Sequence, residues 1–288
     1  MFELNENLDQ ARQRNIREAL IEDIGLNDWT AQLVPVTQRV RARVLVREEA
    51  VLCGREWFDG CVFALDPKAR IDWHVEEGAL MAPDTLVCHI EANARALLSA
   101  ERPALNFLQL LSGTATITRR HVVAMGSAST NPKGCAVLDT RKTIPGLRQA
   151  QKYAVRVGGG QNQRMALWDG ILIKENHIAA AGGVGAALRN AQALNAGVGI
   201  QIEVENLVQL REALDAGAMS VLLDNFTPET MVQAVQLNAG RALLEVSGNV
   251  KIDEMATIAA TGVDRISIGR LTKDVRATDY SMRVLERL

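Results

Sequence analysis

LDTRKTIPGLRQAQKYAVRVGGGQNQRMALWDGILIKENH, residues 138–177, decides the fold. An apolar run, Ala136, Val137 and Leu138, leads into Asp139, Arg141 and Lys142. A helix-like segment follows, then Gly158-Gly159-Gly160 and Arg164. A second apolar run, Ile171 to Ile173, ends in Lys174, Glu175, Asn176 and His177. The stretch carries seven Lys and Arg against three Asp and Glu, a local +4 in a chain of formal charge −2. A solvated basic surface would put its cations on the polar face of a helix. Here they gather at two strand ends, with a glycine triplet between, which suits a small ligand carrying several negative charges.

Outward from this unit the same rhythm continues. Apolar strands recur near 135–139, 170–174, 200–204, 220–224, 242–246 and 265–268. Amphipathic stretches such as 207–216 and 229–238 lie between them. Strand–helix alternation of this kind predicts a parallel sheet with crossover helices. Six units are visible and a closed eight-unit barrel needs more chain, so the expected fold is α/β, an incomplete, open β/α barrel. Before it, residues 7–24 have helical apolar spacing and 40–47 alternate like a half-buried strand. Short strand-like pieces follow at 61–65, 71–75 and 85–90, punctuated by Gly54, Gly60, Pro67, Gly78 and Pro83. This reads as an N-terminal α+β domain with an antiparallel sheet. The expected domains are 1–115, joined by 274–288, and a barrel domain over 116–273. From 92 to 125 the pattern is helical, with Pro103 inside it, so a helix is expected to start afresh near Glu101-Arg102.

The ends of the barrel strands carry the chemistry, since sites of such barrels lie there. Strand after strand ends in charge: Asp139/Arg141/Lys142, Lys174/Glu175, Glu203/Glu205, Asp224, Glu245/Ser247 and Gly269. Glu203 and Glu205 are two apart, which in an extended strand is one face. With Asp224 on the next strand they suit Mg²⁺, a hard cation with oxygen ligands, and Mg²⁺ in turn suits a pyrophosphate. Direct stabilisation of positive charge on a sugar ring is the alternative role. Glu205 also reads as a cap before the 207–216 helix. Ser247-Gly248-Asn249 and Ile268-Gly269-Arg270 expose backbone N–H groups at helix N-termini, as phosphate sites do.

The 288 residues are 48% apolar and 23% charged, with a pI near 6.1. Those values suit a globular protein and give no pull toward nucleic acid or an anionic membrane. Cys53, Cys61, Cys88 and Cys135 form no C-x-x-C pair, so reduced thiols in a cytoplasmic setting are expected. The start, MFELNENLDQ, lacks the apolar core of a signal peptide, and no apolar run approaches the roughly 18 residues that span a bilayer. His74 and His89 read as structural.

DTRKT-PGLR, KYAV--GGG-N-R and LIKENH in the opening stretch resemble quinolinate phosphoribosyltransferase, the nicotinate-nucleotide pyrophosphorylase family. IEVEN at 202–206, LLDNF at 222–226, LEVSGNV at 244–250 and SIGRLTK at 267–273 extend the likeness over nearly the whole chain. It implies an open barrel beside a small α+β domain. It also implies a reaction: quinolinate plus phosphoribosyl pyrophosphate giving nicotinate mononucleotide, pyrophosphate and CO₂, with Mg²⁺. The implied catalytic residues are Lys142, Lys174, Glu203 and Asp224, the last two also holding the metal. Arg141, Gln163, Arg164, Lys174 and Glu205 are the implied substrate-binding residues. Ser247, Gly248, Asn249, Gly269 and Lys273 extend that set along the phosphate side. Arg102, a surface arginine on physical grounds alone, would complete the site of a partner subunit in a homodimer. His177 reads as an orienting residue. One departure stands out: the family's usual Asn-His-Arg is here Asn162-Gln163-Arg164. Glutamine keeps a hydrogen-bond donor but cannot become a cation. Two alternatives stay open at this point, a Schiff-base phosphosugar lyase using Lys174 and an altered-substrate or non-catalytic anion-binding relative.

Overall fold

A computed structural model describes residues 5–288, so residues 1–4, on which the reading of the chain's start partly rests, lie outside it. In chain order the first elements are α1 (Leu8–Ile24), β1 (Arg39–Val46), β2 (Ala50–Val51), α2 (Arg55–Leu65), β3 (Arg70–Trp73), β4 (Leu80–Met81) and β5 (Leu86–Asn93). Then come α3 (Ala94–Met125), β6 (Ala136–Leu138), α4 (Arg148–Val157), β7 (Gly170–Ile173), α5 (Glu175–Ala181) and α6 (Val184–Ala193). The rest are β8 (Gly199–Val204), α7 (Leu207–Asp215), β9 (Ser220–Asp224), α8 (Pro228–Asn238), β10 (Leu243–Ser247), α9 (Met255–Ala260), β11 (Arg265–Ser267), α10 (Arg270–Lys273) and β12 (Tyr280–Arg287).

One unit gathers the residues up to Ile117, Thr143–Gly159 and Thr272–Leu288. Its antiparallel sheet has the order β12-β1-β5-β3. In β1, Val40, Ala42, Val44 and Val46 are buried while the arginines between them are not, the period-2 pattern of a sheet with one covered face. Trp57 and Phe58 of α2 and Leu97, Leu105, Leu108 and Leu111 of α3 belong to the same core. Several expectations change here. Residues 61–65 are the end of α2, not a strand. Gly60 is no turn: a Cβ there would lie 2.3 Å from Ile16 Cδ1, so it serves the packing of α2 on α1. Nor does a helix start afresh near Arg102, since α3 runs unbroken through Pro103. A mid-helix proline costs about 3 kcal/mol. Here it sits in a buried stripe that continues from Leu97 and Ala100 through Ala104 and Leu108, which holds the helix together across it. Residues 143–159, expected within the barrel segment, cluster instead with this first unit, because Ala150 and Ala154 of α4 are part of its core.

The other unit is Thr118–Lys142 and Gly160–Leu271. Its six strands are all parallel, in the order β6-β11-β10-β9-β8-β7. β6 and β7 are the two edges, so the barrel is open. A single bridge from Leu138 to Gln161 extends the β6 edge. Two of its helices start on side-chain caps: Asn206 accepts from Gln209 N ahead of α7, and Thr227 accepts from Thr230 N ahead of α8, with Pro228 in the first turn. Among the described residues no helix is long and apolar enough to cross a membrane. All four cysteines are free, and burial pushes the Cys61 and Cys135 thiols up to about 12.

Candidate active site

Register decides what meets at the strand tips. Leu222 of β9 is level with Glu203 of β8 and Glu245 of β10, and Asp224 is level with Ser247. Parallel partners point to the same side, so Glu203, Asp224, Glu245 and Ser247 converge on one face. They line a cavity of about 600 Å³ in the second unit. Arg141 and Lys142 enter it from the end of β6, Gln163 and Arg164 from ahead of β7, and Lys174 from its end. Gly248, Ser267 and Gly269 complete the rim.

Within this pocket Lys174 Nζ is 3.4 Å from Glu203 Oε2. Burial, reinforced by the charge of Asp224, raises the Glu203 carboxyl above the usual range, and Lys174 opposes the rise. Asp224 is held at both oxygens, by Ser247 Oγ at 3.0 Å and by Asn225 Nδ2 at 2.8 Å. Burial, and then the neighbouring Arg141, depress the Arg164 guanidinium below its usual value, the mark of two cations kept together in partial seclusion. Arg164 Nη1 donates to the Gly170 carbonyl at 2.7 Å. Beneath the cations Asp139 is fully buried and accepts from Asn162 Nδ2 and from Gln163 N. Lys174 N donates to His177 Nδ1 at 3.0 Å, so His177 braces the first turn of α5. Gly248 has φ 140°, and a Cβ there would approach Asn225 Oδ1 to 3.1 Å, so only glycine suits this tip. A side chain at Gly269 would lie 3.1 Å from Lys142 Cδ. Its absence leaves Lys142 its lane.

The pocket thus brings together Arg141, Lys142, Gln163, Arg164, Lys174, Glu203, Asp224, Ser247, Gly248 and Gly269. Asn249 lines an adjoining depression instead and accepts from Arg270 Nη2 at 2.8 Å. Glu205 is exposed, since β8 ends at Val204 and the alternation stops with it, and the cap of α7 is Asn206, one residue later. Arg102, exposed on α3, and Lys273, paired with Asp274 at 2.6 Å, belong to the other unit. The sequence reading left Gln201 and Asn225 unnamed. Gln201 was within reach of it: two residues before Glu203, it shares that residue's face in the strand that does exist.

Glu203 and Asp224, on adjacent strands, are a small set of oxygen donors. That fits Mg²⁺, which keeps waters and takes one or two carboxylates together with substrate phosphates.

An open parallel barrel that gathers paired guanidinium groups, an ammonium, two facing carboxylates and glycine strand tips in one pocket suits a phosphorylated, multiply anionic ligand. Comparison with known proteins narrows this. The profile of the quinolinate phosphoribosyl transferase C-terminal domain matches residues 114–283, and that of the N-terminal domain matches 28–112. The chain belongs to the quinolinate phosphoribosyltransferase family. It is 39% identical over 284 residues to the nicotinate-nucleotide pyrophosphorylase (carboxylating) of Mycobacterium leprae, covering 95% of this chain and 97% of that protein. It is 35% identical to a mitochondrial quinolinate phosphoribosyltransferase (decarboxylating) of Nicotiana tabacum, over 92% and 80%. The solved nicotinate-nucleotide pyrophosphorylase of Francisella tularensis superposes with a TM-score of 0.91 at 41% identity, over 98% of this chain and all of that one. The enzyme of that name from Pyrococcus furiosus, at 17% identity and a TM-score of 0.70, shares the fold.

Proposed function

We propose that the strand-tip pocket transfers phosphoribosyl from phosphoribosyl pyrophosphate to quinolinate with decarboxylation, giving nicotinate mononucleotide, pyrophosphate and CO₂ in NAD biosynthesis. One observation carries this reading: Arg141, Arg164 and Lys174 share a single pocket with Glu203 and Asp224. Quinolinate is a planar dicarboxylate. Guanidinium groups bind carboxylates bidentately and so fix the ring's orientation as well as its charge. Glu203 and Asp224, in the same pocket as the glycine tips, face the sugar and stabilise the positive charge that grows on it as pyrophosphate departs. Lys142 meets the departing pyrophosphate, and backbone N–H groups at Gly248 and Gly269 hold the 5′-phosphate. Once the pyridine nitrogen is glycosylated its positive charge accepts the electron pair released with CO₂, so no protein nucleophile is needed. Mg²⁺ held by Glu203 and Asp224 would supply further neutralisation of the pyrophosphate. A Schiff-base lyase would use Lys174 but has no need of the paired arginines.

The family resemblance also supports a homodimer in which Arg102 of one copy reaches the quinolinate of the other, and the exposure of Arg102 on α3 is compatible with that role. The test of the activity is direct. Purified protein given quinolinate, phosphoribosyl pyrophosphate and Mg²⁺ should form nicotinate mononucleotide, and little of it after chelation of the metal. No product under any metal would refute the reading.

A further inference from the structure

We propose that Gln163, Gln201 and Glu245 form one positioning unit that seats Arg164, and that a quinolinate carboxylate meets Arg164 rather than the Gln163 amide. The inference rests on the function proposed above. Its basis is a chain of hydrogen bonds whose direction is dictated from one end. Glu245 is 1% exposed, and a carboxylate only accepts. Gln201 Nε2 donates to Glu245 Oε2 at 3.0 Å, and Gln163 Nε2 reaches Glu245 Oε1 at 3.4 Å. Both amides must therefore turn their NH₂ groups toward Glu245. That leaves Gln201 Oε1 to accept from Gln163 Nε2, at 2.7 Å. It also leaves Gln163 Oε1 facing the other way, where it accepts from the backbone N–H of Arg164. Flipping either amide would set oxygen against oxygen in a buried place, a costly arrangement.

The Arg164 backbone is thus held by a side chain that is itself held by two buried groups. Its guanidinium is tied at Nη1 to Gly170 and keeps further donors for a ligand. Gln201 does not line the pocket wall, whereas Gln163 and Glu245 do. Gln201 can act on the ligand only through its two partners, Gln163 with Arg164 behind it and Glu245. The unit also explains how glutamine stands where the resemblance expects histidine: its amide bridges Gln201 and Arg164, a geometric task that needs no charge.

Gln201→Met is the informative variant, because it removes the amide without touching the wall. The KM and the calorimetric Kd for quinolinate should each rise about tenfold, the size of one buried hydrogen bond. The KM for phosphoribosyl pyrophosphate and kcat should stay within about twofold, since a seat for one substrate has been loosened and nothing else. Gln163→Met should match it, and the double variant should be hardly worse than either, the non-additivity of residues acting in series. Weakened binding in Gln163→Met with unchanged binding in Gln201→Met would overturn the proposal, because Gln163 would then touch the ligand itself. An equal loss toward both substrates, with a lowered Tm, would also overturn it and leave a merely structural role. Should Gln201→Met fail to fold, Gln201→Asn carries the same readings with the amide kept but withdrawn. Parent protein without turnover but with quinolinate binding weakened by Gln201→Met would sink the proposed function and leave the positioning unit standing. Parent protein that neither turns over nor binds quinolinate would sink both.

Discussion

Glu203 and Asp224 carry the heaviest load of any single residues in the proposed reaction. Changing either to alanine should cut turnover on the order of 10²-fold or more, comparable to losing one preorganised electrostatic contact. The Tm should change little, because strand-tip carboxylates are not core. Near-normal turnover in both variants would remove them from the mechanism. A second residue makes a prediction about pH alone. Burial pushes the Asp59 carboxyl up to about 6, with the Trp73 indole N–H, which donates at 3.0 Å, and Arg55 pulling the other way. The native state therefore holds a proton more tightly than the unfolded chain does. Ionised Asp59 costs stability above about pH 6, and the cost fades as pH falls toward the ordinary value of 3.8. Asp59→Asn should stabilise the protein at pH 7.5, on the order of 2 kcal/mol, and bring no gain near pH 4. Denaturant titrations at the two pH values check this, and a gain equal at both would mean that burial of charge is not its cause. The residue scale was also where the sequence was hardest to read. Glu203 and Asp224 stood out because charge at the end of an apolar run is unusual. Glu205 was assigned to Glu203's face and Gln201 passed over because the period-2 rule says which residues share a face only while the strand lasts, and β8 stops at Val204.

At the scale of elements, two helical glycines separate packing that yields from packing that does not. A Cβ on Gly113 of α3 would lie 2.2 Å from the carbonyl oxygen of Arg276. Alanine is otherwise worth about 1 kcal/mol over glycine in a helix. Here the obstacle is backbone, so Gly113→Ala should destabilise by about 2 kcal/mol or more. A Cβ on Gly60 meets only the terminal methyl of Ile16, which can turn aside, so Gly60→Ala should cost less. Thermal unfolding of the two variants side by side checks the order, and the reverse order would refute the argument. The barrel strands and the helices between them were legible because parallel strands buried on both faces read as apolar runs, with amphipathic stretches between. α2 was not, because Gly54 and Gly60 look like punctuation. Gly54 indeed has φ 108° and precedes α2, while Gly60 has no such backbone demand and answers to a neighbouring helix. The unbroken α3 was hidden for a related reason. Pro103 reports the local cost of a break, while the apolar stripe on either side of it, which outweighs that cost, is spread over many residues.

At the scale of the whole molecule, the proposed dimer makes a quantitative prediction. Arg102→Ala and Glu203→Ala proteins, each nearly inactive alone, should recover activity when their subunits exchange. In a random mixture half the dimers are mixed and each of those has one intact site, so recovery should approach about a quarter of the parent's activity. No recovery after demonstrated exchange would place Arg102 elsewhere. The pairing of β12 with β1 sets another condition, one that concerns manufacture. Val40 is registered with Arg287, so one edge of β1 is completed by residues that follow the whole parallel unit in the chain. On the ribosome β1 is made early, and its other neighbour β5 follows soon after. The strands of the parallel unit are then all delivered in turn, from Ala136 to Ser267, before β12 exists. The unit that contains β1 is therefore finished only after the parallel unit has been delivered. For most of synthesis its sheet presents an open edge of the kind that pairs with strangers. A nascent chain stalled after Leu271 should already protect the parallel unit from protease while β1 stays susceptible. Release of the remaining residues should then close that edge in one step.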